Sequence, residues 1–369
     1  MNTPCKILTA LAVSALLTAC PGSSGDSSSS TTTSLIVALA YDSQNATVYI
    51  ANAGRSTIQS LNPGALTNQA ATLAGGDYVT GTTNGDGTAA RFNYPYGLLM
   101  ADTTTLVVSD TGNSILRKIT SLTGTKTVAN YAAAGSFNNP SEMAASTTDI
   151  YVADTNNHVI KKVSLTSQSS ENWSGTSGVS GTTDGASSVA LFKQPQGIAI
   201  DTANSVVYVS DTSNHTIRKI TIGGTNPVAI IAGVAGTSGY KNSATGTTAN
   251  FNFPTSLVFS GNALYVTDTG NNAIRKIDTT GTNAVTTFAG SAGTIDLSLT
   301  AVSGSTDGTG TTARFYLPRG IALNASNPAQ RILYVGDQNG TKLRKILIDA
   351  DPADATKPAA LVETFTTTF

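Results

Sequence analysis

The chain has 369 residues, a formal net charge of −1, 12% charged residues and 40% hydrophobic residues. The charged share is about half the usual one, which argues against a nucleic-acid groove, where Lys and Arg must be clustered. The hydrophobic share supports a substantial core, and a polar remainder of Gly, Ser, Thr and Asn favours strands and turns over helices.

At the N-terminus Lys6 precedes an apolar run, Ile7–Leu17, too short to cross a bilayer as a mature helix. The run ends in Leu17-Thr18-Ala19-Cys20, which resembles the bacterial lipobox. The resemblance implies a lipoprotein signal peptide over 1–19, with Cys20 diacylated as the new N-terminus. An ordinary secretory peptide cut near Ala19 is the alternative. The other cysteine, Cys5, lies inside the segment to be removed, so an intrachain disulfide is not expected. Residues 20–34 are mostly Gly, Ser and Thr and read as a flexible tether. Pro21 rather than Asp follows the cysteine. For lipoproteins this implies the outer membrane, facing the periplasm or the cell surface, with the lipid as the only membrane contact.

Beyond the tether one phrase recurs six times. A worn copy at Val48–Leu61 comes first, then Leu106–Ile119, Ile150–Val163, Val207–Ile220, Leu264–Ile277 and Leu333–Ile346. Upstream of most copies stands Pro and a short apolar run, as in Pro195–Ile200. Downstream stands another apolar run, often closed by Gly, as in Val228–Gly233. This predicts units of four short strands, a to d, with Pro at the first residue of strand a, where no ladder donor is needed. Four-stranded units in series predict an all-β, six-bladed β-propeller of antiparallel blades rather than a sandwich or β-helix. The propeller is expected over 35–369, with blades at about 35–75, 95–135, 140–175, 195–233, 254–290 and 318–369. The anchor ending strand b is Asn52, Asp110, Asp154, Asp211, Asp268 and Asp337, so the intervals are 58, 44, 57, 57 and 69 residues. The excess over a compact blade sits between strand d and the next strand a. Each blade is complete in sequence, so the ring is expected to close by face packing of blades 1 and 6.

Pro195–Ile220 (PQGIAI, then VYVSDTSNHTIRKI) resembles the NHL repeat, and the linkers at Asp86–Phe92 and Asp307–Phe315 resemble those of bacterial secreted NHL proteins. The resemblance covers about Leu35 to the C-terminus. It implies the propeller fold and, for most such proteins, a role as an interaction platform, with a minority of enzymes.

Residues that recur once per blade read as structural. The anchor Asp is expected to accept turn N–H bonds, with Asn three residues later taking the left-handed conformation. The Arg seven residues after it is expected to form an inter-blade ion pair or to pack its stem across the blade edge, and the aromatic of each Phe-x-x-Pro to plug a blade seam. Candidate function lies where copies differ. His158 and His215 occupy one turn in blades 3 and 4, too few for a zinc site. Glu142 is the one acid in a strand-a position, expected to point toward the channel. A catalytic cation there would need further carboxylates such as Asp184 and Asp307. The long linkers predict a contact face with Tyr78, Tyr94, Tyr96, Trp173, Tyr240 and Arg319 as exposed contacts for a protein or glycan. No cofactor is predicted, and a channel-bound divalent cation is the cofactor alternative. The functional reading is a binding platform. The alternatives are a lactonase- or lyase-like enzyme at the channel mouth and a structural surface protein without a dedicated ligand.

Overall fold

The copies of the repeat are runs of β-branched and aromatic residues, broken in most by Pro and in four of the six by an Asp-Thr-x-Asn turn, and each becomes one antiparallel sheet. The structure, a computed structural model, describes residues 34–65, 69–132, 136–291, 304–337, 342–349 and 358–365. The expected signal peptide, Cys20 and nearly all of the tether lie outside these residues, as do 292–303 of the last linker and 366–369. Blade 1 takes strands Ile36–Asp42, Thr47–Asn52, Thr57–Leu61 and Ala71–Ala74; blade 4 takes Ile198–Asp201, Val206–Asp211, Thr216–Thr221 and Val228–Ala232. All six sheets run a-b-c-d from a continuous stretch of chain, and no α-helix occurs among the described residues. The architecture is a six-bladed β-propeller.

The core lies between blades. Buried apolar clusters form at every seam, each drawing on two adjacent blades; Tyr151 and Ile160 of blade 3, for example, pack with Val207, Val209 and Ile220 of blade 4. The closing seam is of the same kind. Ile36, Val48 and Ile50 of blade 1 pack on Ala322, Tyr334 and Leu343 of blade 6, with Tyr41 stacked on Tyr334 at 5.8 Å between ring centroids. The ring thus closes by face packing, and among the described residues no strand is exchanged between blades.

The excess linker length has a structural use. In the linker before blade 2, Gly85–Asp86 pairs with the outer strand Thr127–Asn130, and before blade 6 Gly308–Thr309 pairs with Leu361–Phe365. Single bridges at Gly185–Val228 and Ser243–Val285 repeat this at blades 4 and 5. Each of these linkers runs past its new blade and covers the unpaired edge of that blade's strand d before returning to the axis. Blade 3 follows the shortest interval and has no such bridge among the described residues.

Around the axis the second residue after the Pro position alternates: Ala38, Gly97, Glu142, Gly197, Ser256, Gly320. The glycines stand where the next inner strand approaches most closely. A Cβ at Gly97 would meet the carbonyl of Ser141, one at Gly197 that of Thr255, and one at Gly320 would lie 2.5 Å from Ala38 Cα. Gly320→Ala is therefore expected to cost about 1–3 kcal/mol by overpacking the closing seam. Guanidinium unfolding would read this as a lower midpoint with unchanged slope.

Candidate functional site

The b–c turns come first, because they settle which repeated residues are scaffold. After Asp211, Thr212–Asn214 forms one turn of 3-10 helix, and His215 takes the left-handed conformation at φ 58°. The same holds for Ser114, His158 and Asn272, so the left-handed residue is the fourth after the anchor, not the third as expected. The third, Asn214, instead donates to Asp211 Oδ2 at 2.8 Å and to the linker carbonyl of Gly181 at 2.6 Å. Asp211 Oδ1 accepts the N–H of Lys193 at 2.7 Å, and Arg218 Nη1 donates to Oδ2 at 2.9 Å. Burial pushes the Asp211 carboxyl up to about 6, opposed by these donors, which leaves it ionised at neutral pH.

This corrects the expected inter-blade ion pair: Arg218 and Asp211 belong to one blade. What the guanidinium grips besides is the incoming linker, through the carbonyls of Leu191 and Thr183 and the Asp184 carboxylate at 2.5 Å. Its face lies 5.0 Å from the Phe192 centroid. Arg117, Arg275 and Arg344 repeat this over Phe92, Phe251 and Phe315. Asp184 and Asp307 are accordingly held by Arg218 and Arg344 at the outer strands, and neither lines the channel. In blade 1 a neutral pair, Asn52 Nδ2 donating to Gln59 Oε1 at 3.1 Å, replaces the charged one.

The two histidines are joints between blades. His158 Nδ1 accepts the N–H of Gln194 and His215 Nδ1 that of Phe253, both at 3.1 Å. These donors immediately precede the Pro of the following blade. Asn272 Oδ1 makes the same bond to Leu317 at 2.8 Å. Burial lowers both histidine pKa values, with Lys193 adding to the effect, so each ring is a neutral acceptor. His215→Asn is expected to keep stability within about 0.5 kcal/mol, because Asn272 shows that the amide serves, whereas His215→Ala loses about 1–3 kcal/mol with the orphaned N–H. Thermal unfolding of the two variants checks this.

The remaining candidates divide into two groups. Trp173, expected to be exposed, is only 9% exposed and packs 4.5 Å from Tyr151. Tyr240 lies 4.6 Å from the Arg275 guanidinium and bonds to Thr287. Both are packing residues. Tyr78 is 42% exposed, above the ion-paired Arg55. Tyr96 and Arg319, placed by the sequence reading on the loop surface, are buried instead in the channel throat.

That throat is where Tyr94, Tyr96, Glu142 and Arg319 come together. The residue after the Pro position alternates around the ring between Val37, Ser141 and Thr255 on blades 1, 3 and 5 and the larger Tyr96, Gln196 and Arg319 on blades 2, 4 and 6. Tyr96 Oη donates to Gln196 Oε1 at 3.2 Å and feels the Arg319 charge, so the three large residues meet across the axis. Tyr94 and Glu142 feel this cluster electrostatically. Burial pushes the Glu142 carboxyl up to about 8, opposed by bonds from the Ser256 hydroxyl and the Ile198 N–H. Sequence reasoning missed Gln196 and Ser256; their signal was the alternation between blades, visible only when the copies are read as a ring. Past the throat a cavity of about 240 Å³ is lined by Leu98, Met143, Ile198, Leu257, Ile321 and other apolar residues, with Glu142 the only acid among them. Among the described residues no group of three or more His, Cys, Asp or Glu could hold a metal ion, and no helix is long and apolar enough to cross a membrane.

Comparison with known proteins agrees with this geometry. The NHL repeat family model matches residues 192–220. NHL repeat-containing protein 2 of Gallus gallus is 49% identical over 57 residues, 15% of this chain and 7% of the relative. Protein SUPPRESSOR OF QUENCHING 1, chloroplastic, of Arabidopsis thaliana is 27% identical over 175 residues, 47% of this chain and 15% of the relative. The chain therefore matches only a small part of these curated relatives. Among solved structures, an auxiliary nutrient binding protein from Bacteroides thetaiotaomicron superposes with a TM-score of 0.61 at 16% identity, covering 85% of this chain and 68% of the other. Virginiamycin B lyase from Staphylococcus aureus superposes at 0.52 and 12% identity, over 91% and 86%. At these identities the likeness carries the fold. The chain is a six-bladed β-propeller that carries an NHL repeat at residues 192–220.

Proposed function

We propose that the protein is a lipid-anchored envelope binding module that captures a protein or glycan on the face formed by its inter-blade linkers. One observation carries this reading. All five large hydrophobic residues that are exposed among the described residues lie in those linkers: Tyr78, Val79, Val179, Val189 and Val234. The linkers hold them rigidly. The N–H groups of Tyr78, Gly178 and Gly236 bond to carbonyls in the b–c turns of the preceding blade. A preformed apolar surface loses little entropy on binding. The lipobox-like Leu17–Cys20 supports diacylation at Cys20, with the lipid as the membrane contact.

The test is a Val79→Ser, Val179→Ser, Val234→Ser variant of the full chain, compared with wild type in pull-downs from envelope extracts and on glycan arrays. The expected result is a loss of captured ligand by at least about tenfold with an unchanged melting temperature. Undiminished capture overturns the reading. In the same cells, Cys20→Ala is expected to move the protein from the membrane to the soluble fraction, and retention in the membrane overturns the anchor.

The lactonase- or lyase-like alternative draws its support from Glu142, since a buried acid with a raised pKa in a channel is a general-acid candidate. It is weakened by the apolar lining that surrounds this single carboxyl.

A further inference from the structure

Five arginines of this propeller are buried to within 4% exposure, and four of them rest on an aspartate at 2.7 to 3.0 Å. Arg319 is the fifth. Its guanidinium sits in the throat close enough to act on the Tyr94 and Tyr96 phenols, its Nε, like that of the other four, has no hydrogen bond, and no described carboxylate lies within 4.0 Å. A guanidinium does not shed its charge when buried, and a buried charge without a counter-ion is costly. Glu142, nearby in the same ring of inner strands, does not supply the counter-charge at neutral pH, because burial keeps it protonated up to about 8. The other titratable groups facing this cluster are the phenols of Tyr94 and Tyr96, both pushed upward by burial. The throat therefore carries one uncompensated positive charge among neutral hydrogen-bonding groups.

We propose that the throat binds a small aliphatic monocarboxylate, its head on the Arg319 guanidinium and its chain along Leu98, Ile198, Leu257 and Ile321. A single charge and a planar fork suit a monoanionic carboxylate, whereas a dianionic phosphate would leave excess negative charge in a buried site. The neutral Glu142 carboxyl offers a further O–H donor to the head. Leu98, Ile198 and Ile321 lie two residues beyond Tyr96, Gln196 and Arg319 on extended chain leading into the inner strands, about 6–7 Å further along the channel. They open the apolar cavity of about 240 Å³, enough for a short hydrocarbon chain. The site is separate from the linker face.

Calorimetric titration of the full chain with sodium hexanoate tests the proposal. At about pH 6.5 hexanoate is expected to bind saturably, one per chain. At about pH 9.5, where Glu142 on the cavity wall is ionised and repels a carboxylate, affinity is expected to fall about tenfold or more. Glu142→Gln is expected to abolish that pH response, and Arg319→Gln to abolish binding. Hexanol and hexylamine are expected not to compete. Acetate is expected to bind at least about tenfold more weakly than hexanoate, because it leaves the apolar cavity unused. No hexanoate binding, equal binding by Arg319→Gln, or competition by hexylamine overturns the carboxylate site. Equal binding of acetate overturns the placement of the chain. Should Arg319→Gln fail to fold, the pH response and its loss in Glu142→Gln decide the matter. Because the linker-face triple variant is expected to bind hexanoate like wild type, failure of either proposal is recognisable by itself.

Discussion

Replacing Asp268 with alanine is expected to destabilise the propeller by about 3–5 kcal/mol, the largest effect of any single substitution considered. Asp268 is fully buried and accepts from the Asn252 N–H at 2.8 Å, Asn271 Nδ2 at 2.8 Å and Arg275 Nη1 at 2.7 Å. Alanine orphans the Asn252 N–H, takes one acceptor each from Asn271 and Arg275, and leaves a guanidinium buried without its counter-ion. The loss is read as a lower guanidinium midpoint. The double variant Asp268→Asn, Arg275→Gln, which copies the Asn52–Gln59 pair of blade 1, is expected to recover about half of it. No unpaired charge remains there, but the linker carbonyls of Asn250 and Lys241 each lose one of their two donors. A double variant as unstable as the single one would show that blade 5 needs the charge itself.

Glu142→Gln is expected to make the protein more stable at alkaline pH. In the folded chain the carboxyl keeps its proton up to about 8, against an ordinary value of 4.5. Unfolding therefore releases a proton between these values, and this group's contribution to stability falls as pH rises through that window, then levels off above it. The full span is on the order of 5 kcal/mol at about 1.4 kcal/mol per tenfold. Glutamine keeps a donor and an acceptor but does not titrate. The expected result is near-equal stability at about pH 5 and a variant ahead by a few kcal/mol at about pH 9. Parallel stability curves for the two proteins would show that Glu142 is ionised in the folded channel.

Both predictions concern residues the sequence could point to but not place. Asp268 stood out as one of a series, and its i to i+7 partner could be recognised as its chemical complement. That the pair lies within one blade, and that the guanidinium also grips the incoming linker, depended on where the linker runs. Glu142 stood out as an acid in an apolar strand, while its partner Ser256 lies 114 positions away. Trp173 misled because rarity was taken as exposure; in the structure it packs against Tyr151 of the same blade.

The amino-acid sequence by itself determined the blade: four strands, the Asp-Thr-x-Asn turn, and the number of copies. These rest on contacts between residues close along the chain, and repetition made each of them readable several times over. Only the tertiary structure decided what lies on the axis and on the outer edge. Tyr96, Gln196 and Arg319 are about a hundred residues apart and meet only when six blades close into a ring. The long linkers, expected as free recognition loops, are drawn in by unpaired strand edges and buried guanidinium groups whose hydrogen bonds had to be satisfied.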